Sequence, residues 1–247
     1  MKNVAIVGAA GYVGSQIAHA ITTSDRYHLI PVLRNDSAKE LFVNADIIVH
    51  AANPARRFLA EKDPMHDFEE TVEKTSRFLA LAHSKHFVLI SSLSCRTQLN
   101  TNYGRHRRAC ELLALARGNS LVVRLGPMFG GNRTNDTLHD IIAGNHVYVA
   151  AETRYAYTDV AWVGQKIVDL LEGPNGLREV GARNAVRLSD LSDHFSSTST
   201  FSGSDDTQIP ENSIDGPDAR DVFLFAEEEM TRIHKKVSLI NDRNIST

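Results

Sequence analysis

The chain has 247 residues, 42% of them hydrophobic and 23% charged, with a formal net charge of -3. That length suffices for one α/β domain with a sizeable core, or for such a domain and a small lobe. The slight negative charge gives no general attraction for nucleic acid or an anionic membrane, so any phosphate binding has to be local; the two cysteines, Cys95 and Cys110, make no disulfide framework, and no Cys/His group has zinc-ligand spacing.

Val4-Ala5-Ile6-Val7 is an apolar run of strand type that leads straight into Gly8-Ala9-Ala10-Gly11-Tyr12-Val13-Gly14. Val13, Ile17, Ala18 and Ile21 then fall on one helical face. Strand, tight turn and helix in this order form the unit that holds a dinucleotide pyrophosphate. Glycine lets the backbone turn sharply and the phosphates approach, and the helix N-terminus meets their charge with free N–H groups. His28-Leu29-Ile30-Pro31-Val32-Leu33 reads as a second strand, placed at an edge by Pro31. Its end sets the cofactor: an acidic residue there binds the ribose hydroxyls of NAD, an arginine the 2′-phosphate of NADP. Arg34 holds that position, so NADP is expected, and Asp36 two residues on keeps NAD open.

Asp46 to Ala52 reads as a buried strand, with His50 packed at its end. Only Asn35 to Ala45 precedes it, room for one short helix near Ala38–Val43 but not for helix, strand and helix; the third strand of a full doubly wound half is therefore expected to be missing or vestigial. Residues 66–82 carry helical spacing at Phe68, Val72, Phe78, Leu79 and Ala82, and Phe87 to Ile90 reads as the next strand. Residues 104–117 read as a helix with Ala109, Leu112, Leu113 and Ala116 inward, and Leu121 to Leu125 as a further strand. Alternation of this kind implies a parallel sheet with helices on both faces.

From about Gly173 the composition shifts, and Ser196 to Pro217 reads as polar loop with one strand near Thr200–Phe201. Pro217 is expected to start an amphipathic helix bearing Val222, Phe225, Ala226, Met230 and Ile233. The expected division is a dinucleotide-binding domain over 1–172 and a small lobe packed on it over 173–247. No run reaches the ~18 apolar residues of a membrane span, and the first apolar stretch is broken by Gly8 and Gly11, so a cytoplasmic protein is expected.

Six segments follow one another in a telling order. Gly8-x-x-Gly11-x-x-Gly14 comes first, then Asp46-Ile-Ile-Val-His50-Ala51-Ala52 and Phe87-Val-Leu-Ile-Ser91-Ser92. Tyr103-Gly104-x-x-Arg107-x-x-x-Glu111, Arg124-Leu-Gly126-Pro127-Met-Phe-Gly130 and Tyr157-Thr158-Asp159-Val160-Ala161 complete the set. From Met1 to about Leu171 the chain thereby resembles the extended short-chain dehydrogenase/reductase superfamily, in its NAD(P)-dependent epimerase/dehydratase branch. The resemblance implies a Rossmann-type doubly wound parallel sheet with a small C-terminal lobe. It implies hydride transfer at a sugar-like hydroxyl or keto group, most plausibly of a nucleotide-activated sugar, in a site without metal.

Carried over by position, Tyr103 is the acid/base, Ser92 the partner of the substrate oxygen, and Arg107 stands where the family has its catalytic lysine. A tyrosine with an ordinary pKa near ~10 needs such a fixed cation to act as a base near neutrality. Cofactor contacts fall on Gly8, Ala10, Gly11, Tyr12, Val13, Gly14, Arg34, Ala51, Ala52, Ser91, Tyr103, Arg107 and Gly126. Three departures stand out: Arg107 for lysine, Thr71 where the family carries an asparagine, and a spacing of only 11 residues from Ser92 to Tyr103. Arg107 and Thr71 support the alternative, an NADP(H)-binding redox sensor or partner subunit without turnover. A small-molecule substrate is the expected partner, with neither nucleic acid nor membrane, and a homodimer is left open.

Overall fold

The computed structural model describes residues 1–245, with side-chain surroundings through residue 233. β1 (Lys2–Val7) ends at Gly8 and turns into α1 (Tyr12–Thr22). β2 (Tyr27–Val32) and α2 (Ala38–Val43) follow, then β3 (Ile47–His50). Residues 33–46 thus hold one short helix and no strand, and β2 and β3 lie on opposite sides of β1. β4 (His86–Ser92), β5 (Ser120–Leu125) and β9 (Gly176–Val180) complete a six-stranded sheet in the order β2-β1-β3-β4-β5-β9, every neighbouring pair parallel. This is a Rossmann-like α/β fold.

Between β3 and β4 the chain forms α3 (Arg57–Lys62), α4 (Pro64–Phe68), a π-helical turn over Glu69–Glu73, and α5 (Lys74–Leu81). Asp63 caps α4 through its carboxylate, which accepts the His66 N–H at 3.1 Å, and Pro64 takes the first helical position, where no N–H is needed. The expected helix over 66–82 is therefore two helices joined by a wide turn. That turn shifts the phase, so Phe68 is exposed while Thr71, Val72 and Thr75 are buried.

α6 (Ser94–Thr97) and α7 (Asn102–Ala116) connect β4 to β5. The expected inward face of α7 needs correction. Leu112, Leu113 and Ala116 are exposed, and the helix buries Tyr103, Gly104, Arg107, Cys110, Glu111 and Ala114 instead. Two of those residues are charged, and partners on other elements make their burial tolerable, as described below.

The central strands alternate their side chains between two apolar layers. Val4, Ile6, Val49, Val88 and Val123 meet Ile17 and Ile21 of α1 and Val163 and Ile167 of α9 (Val160–Leu170). Ala5, Ile48, Phe87, Leu89 and Val122 meet Phe42, Val72, Cys110 and Ala114 on the other side.

A third core forms the lobe. It gathers β6 (Met128–Phe129), α8 (Thr137–Ala143), β7 (Arg154–Tyr155), β8 (Thr158–Asp159), β10 (Val186–Arg187), α10 (Leu188–His194) and the start of α11 (Asp221–Ile245). Phe129, Leu138, Ile141 and Tyr155 pack there with Val186, Leu191, Val222 and Ala226. The cores therefore do not divide at 172/173: β9 beyond that point is the sixth strand of the sheet, and residues before it build half of the lobe. Two smaller expectations also shift. Thr200–Phe201 contributes only a single bridge, Phe201 to Val147, and the last helix begins at Asp221 because Asp218 holds the Arg220 N–H at 2.9 Å in a turn after Pro217. Among the described residues no helix is long and apolar enough to cross a membrane.

Candidate active site

Because the sheet is parallel, Gly8, Arg34, Ala51, Ala52, Ser91, Ser92 and Gly126 all come to one edge, the C-terminal ends of the strands. In this class of sheet ligands bind outside that edge. Gly8 sits at φ +85°, and a Cβ there would lie 3.0 Å from Ala52 Cα and Cβ. A Cβ on Gly14 would collide with the Gly8 carbonyl. The loop thus closes tightly on the β3 exit, and Gly11, at the N-cap of α1, offers no side chain to the first N–H groups of the helix. The result is a cradle with unmatched donors at a positive helix end, which fits a dinucleotide pyrophosphate. Ala10 and Gly11 are exposed, Tyr12 and Val13 half-buried beside them.

Arg34 is exposed past the end of β2. Asp36 is spent on the turn: its carboxylate accepts the Leu33 N–H at 2.8 Å. Of the two candidates for reading the ribose, Arg34 is the one with its charge free of such a contact among the described residues.

Tyr103 opens α7 and is 6% exposed. Thr101 caps the helix, accepting the Gly104 N–H at 3.0 Å, and Gly104 is needed because a Cβ would strike the Gln98 carbonyl. Arg107, one turn on, places its guanidinium 4.8 Å from the Tyr103 ring centroid and donates from Nη2 to the Pro54 carbonyl. Tyr103 and Arg107 are therefore together, and Arg107 is drawn toward the β3 exit loop. Three buried polar atoms on the surrounding elements, Asn53 Nδ2, Thr71 Oγ1 and Arg107 Nε, have no partner among the described residues.

The serines are engaged elsewhere. Ser92 Oγ accepts the Ser94 N–H at 3.2 Å and donates to Ser94 Oγ at 3.3 Å. Ser91 donates to Glu111 at 2.8 Å. Arg124 forks onto the same carboxylate at 2.8 and 2.7 Å and reaches Glu179 at 3.1 Å, while Arg108 adds a contact to Glu111 at 3.0 Å. Burial alone would raise the Glu111 carboxyl, but Arg124 and Ser91 hold it below the usual carboxylate range. Burial pushes the nearby Cys95 thiol up to about 12, so it is inert. His50 is fully buried, 3.1 Å from Thr75 Oγ1; burial, then Lys74 and Arg107, push it down to about 3 and keep the ring neutral.

Sequence reasoning missed a second layer around Tyr103. Glu61 on α3 accepts the Asn102 N–H at 2.6 Å and the Tyr103 N–H at 3.5 Å, holding the start of α7. Arg57, one turn earlier, pairs with Asp206 from the polar segment of the lobe. Nothing in the sequence marked this pair, whose members lie 149 residues apart. Arg133, on the loop after β6, stacks 3.9 Å over the Tyr12 ring. Burial raises the pKa of Tyr12, whose hydroxyl has no partner among the described residues.

No protein-family model and no curated protein matches the chain. Solved structures do match, over nearly their whole length. UDP-glucuronic acid 4-epimerase from Bacillus cereus, in complex with UDP-glucuronic acid and NAD, has a TM-score of 0.78 at 15% identity, covering 94% of this chain and 99% of that one. UDP-glucose 4-epimerase from Thermotoga maritima, with UDP-glucose, has a TM-score of 0.76 at 13% identity, covering 94% and 99%. dTDP-4-dehydrorhamnose reductase from Bacillus anthracis, in complex with NADP, has a TM-score of 0.73 at 15% identity, covering 92% and 98%. The structural neighbours are thus NAD(P)-dependent epimerases, dehydratases and reductases, and at these identities the likeness establishes the shared fold.

Proposed function

We propose that this chain is an NAD(P)-dependent oxidoreductase or epimerase acting on a hydroxyl or keto group of a nucleotide-activated sugar, with NADP preferred. The observation that carries the reading is the placing of Tyr103 and Arg107, on one face of α7, at the same sheet edge as the glycine cradle. When bound, the nicotinamide supplies or takes the hydride. Tyr103 supplies or takes the proton at the substrate oxygen, with the Arg107 charge beside its ring. Arginine delivers that charge through a planar fork, and here part of the fork is spent on Pro54, so the ribose contact of a lysine is replaced by a different hold. Ser92 serves the substrate oxygen by exchanging its contact with Ser94 for one to substrate. Gly8, Gly11 and Gly14 admit the pyrophosphate, and Arg34 reads the 2′-phosphate.

A second reading, cofactor binding without turnover, draws on the same contacts: Arg107 tied to Pro54 and both serines tied to protein groups. Single-turnover oxidation of NADPH with a panel of nucleotide keto-sugars separates the two. Under the enzymatic reading the wild-type protein oxidises NADPH with at least one of them. Tyr103→Phe then lowers that rate by about 10²–10⁴-fold with NADPH affinity nearly unchanged. A rate that survives in Tyr103→Phe removes the catalytic assignment, and NADPH binding without oxidation by any keto-sugar favours the second reading.

A further inference from the structure

The backbone ladder of α1 starts late. Ser15 is the first residue of the helix whose N–H finds a carbonyl, that of Gly11 at 2.8 Å, so the N–H groups of Tyr12, Val13 and Gly14 stand ahead of the ladder. Gly11 brings no side chain to them. They are the donors of the glycine cradle. A dinucleotide diphosphate is charged on both of its phosphates, and these N–H dipoles alone carry no full charge to meet it.

A cation is held against this end of the helix. The loop leaving β6 passes over Tyr12, the first residue of α1, and a Cβ on Gly131 would lie 3.2 Å from Tyr12 Cε2. Two residues on, the Arg133 guanidinium stacks on the Tyr12 ring, 3.9 Å from its centroid. The ring is one side chain away from the Tyr12 N–H, so the stack keeps a positive charge close to the free N–H row. Among the described residues Arg133 makes no hydrogen bond and no ion pair, which leaves the donors of its fork free. The carboxylates that act on Tyr12 are turned to other helices. Asp136 Oδ1 accepts the His139 N–H at 3.0 Å and faces the His139 ring at 2.8 Å, at the start of α8. Asp159 accepts the Ala161 N–H at 2.8 Å, at the start of α9. Arg107 is drawn to Pro54 and Arg34 stands past the end of β2, so neither takes the place of Arg133 at this helix end. A cation beside the positive end of a helix is unfavourable by itself; an anion there is attracted by both.

We infer that Arg133 is the cation that binds the cofactor diphosphate. The glycine turn offers N–H groups from the sheet, and Arg133 offers a charged, forked donor from the loop that enters the lobe. This rests on the dinucleotide reading above and adds to it a residue outside the glycine motif. It is indifferent to which sugar the site accepts.

Calorimetric titration of the full chain tests it, with NADPH, NADH and ADP-ribose, which carry the diphosphate, and adenosine 2′-monophosphate, which lacks it. Arg133→Gln is expected to weaken the first three by a common factor of about tenfold. The NADPH-to-NADH ratio and the affinity for adenosine 2′-monophosphate stay as they were. Arg133→Lys, which keeps the charge without the fork, recovers part of the loss. Unchanged ADP-ribose affinity in Arg133→Gln overturns the inference, and so does a lysine variant as weak as the glutamine one. A loss confined to NADPH and adenosine 2′-monophosphate also overturns it, because Arg133 would then read the 2′-phosphate. Should the wild-type protein bind none of the three diphosphates, the dinucleotide reading falls and this one with it. Wild-type binding of all three, undisturbed by Arg133→Gln, removes this inference alone.

Discussion

Under the proposed function, cofactor choice turns on Arg34. It stands exposed at the end of the edge strand with Asp36 turned back on Leu33. NADPH is therefore expected to bind more tightly than NADH, and Arg34→Ala to erase the difference by weakening NADPH alone, by roughly 1.5–3 kcal/mol for a charge-assisted contact. Fluorescence titration with both reduced cofactors checks it, and equal wild-type affinities would show the arginine idle. His50 carries a different consequence. Its ordinary pKa of 6.5 falls to about 3 in the fold, so below pH 6.5 the unfolded chain takes up a proton that the folded chain refuses. Stability is full above that pH and is lost as pH falls toward 3, at about 1.4 kcal/mol per pH unit for one proton. The buried Glu111 and Glu179, whose carboxyls are held low, add to the loss only below their ordinary 4.5. His86, lowered by burial, and His139, raised by Asp136, titrate in the same window with opposite signs; urea midpoints between pH 6.5 and 5 should therefore fall more steeply in the wild type than in His50→Gln, and parallel curves would sink the assignment. The position of His50 was legible, because a histidine closing an apolar strand run has little choice but to be buried. Its partner Thr75 was not, being a full helix away in sequence.

At the scale of elements, α7 is where pattern and structure part. Its apolar residues suggested Leu112 and Leu113 inward, yet they are 54% and 42% exposed while Glu111 and Arg107 are buried. Periodicity sees only the helix. The decision came from Arg124 on β5 and Ser91 on β4, which match Glu111 across the sheet, and from Pro54, which takes the Arg107 fork. Such partners are distant in sequence and leave no local trace. The energetic ordering inverts accordingly. Glu111→Ala should cost about 3–5 kcal/mol, since it strands Arg124 in a buried place with Glu179 as its remaining carboxylate. Leu112→Gln should stay within about 0.5 kcal/mol. Denaturant unfolding of both variants decides it, and the reverse ranking would restore the apolar face. The Gly8–Gly14 turn and the short α2, by contrast, were legible to within a residue or two, because glycine spacing and linker length constrain the backbone whatever packs against it.

For the whole molecule, counting residues gave the missing strand between β2 and β3, and solved structures only 13–15% identical share the fold over nearly their full length. The lobe was not so legible. Its core draws on residues from Phe129 to Ala226, and the polar segment read as loop supplies Asp206, Ile209 and Glu211, which fasten it to Arg57 and Arg96. A boundary drawn on composition cannot see a chain that crosses from sheet to lobe and back. One omission in the sheet has a cost that this chain meets locally. With no third strand, β2 is an open edge, a row of backbone donors and acceptors offered to any extended chain. Gly8 donates to the Val32 carbonyl, so the even-numbered residues of β2 face β1 and the odd-numbered ones face outward. Pro31 is among the outward residues and has no N–H to offer. A strand from a neighbouring molecule that tried to continue the sheet would find its bonding row interrupted at that residue. The open margin of the sheet thus carries its own obstacle to strand addition, at Pro31.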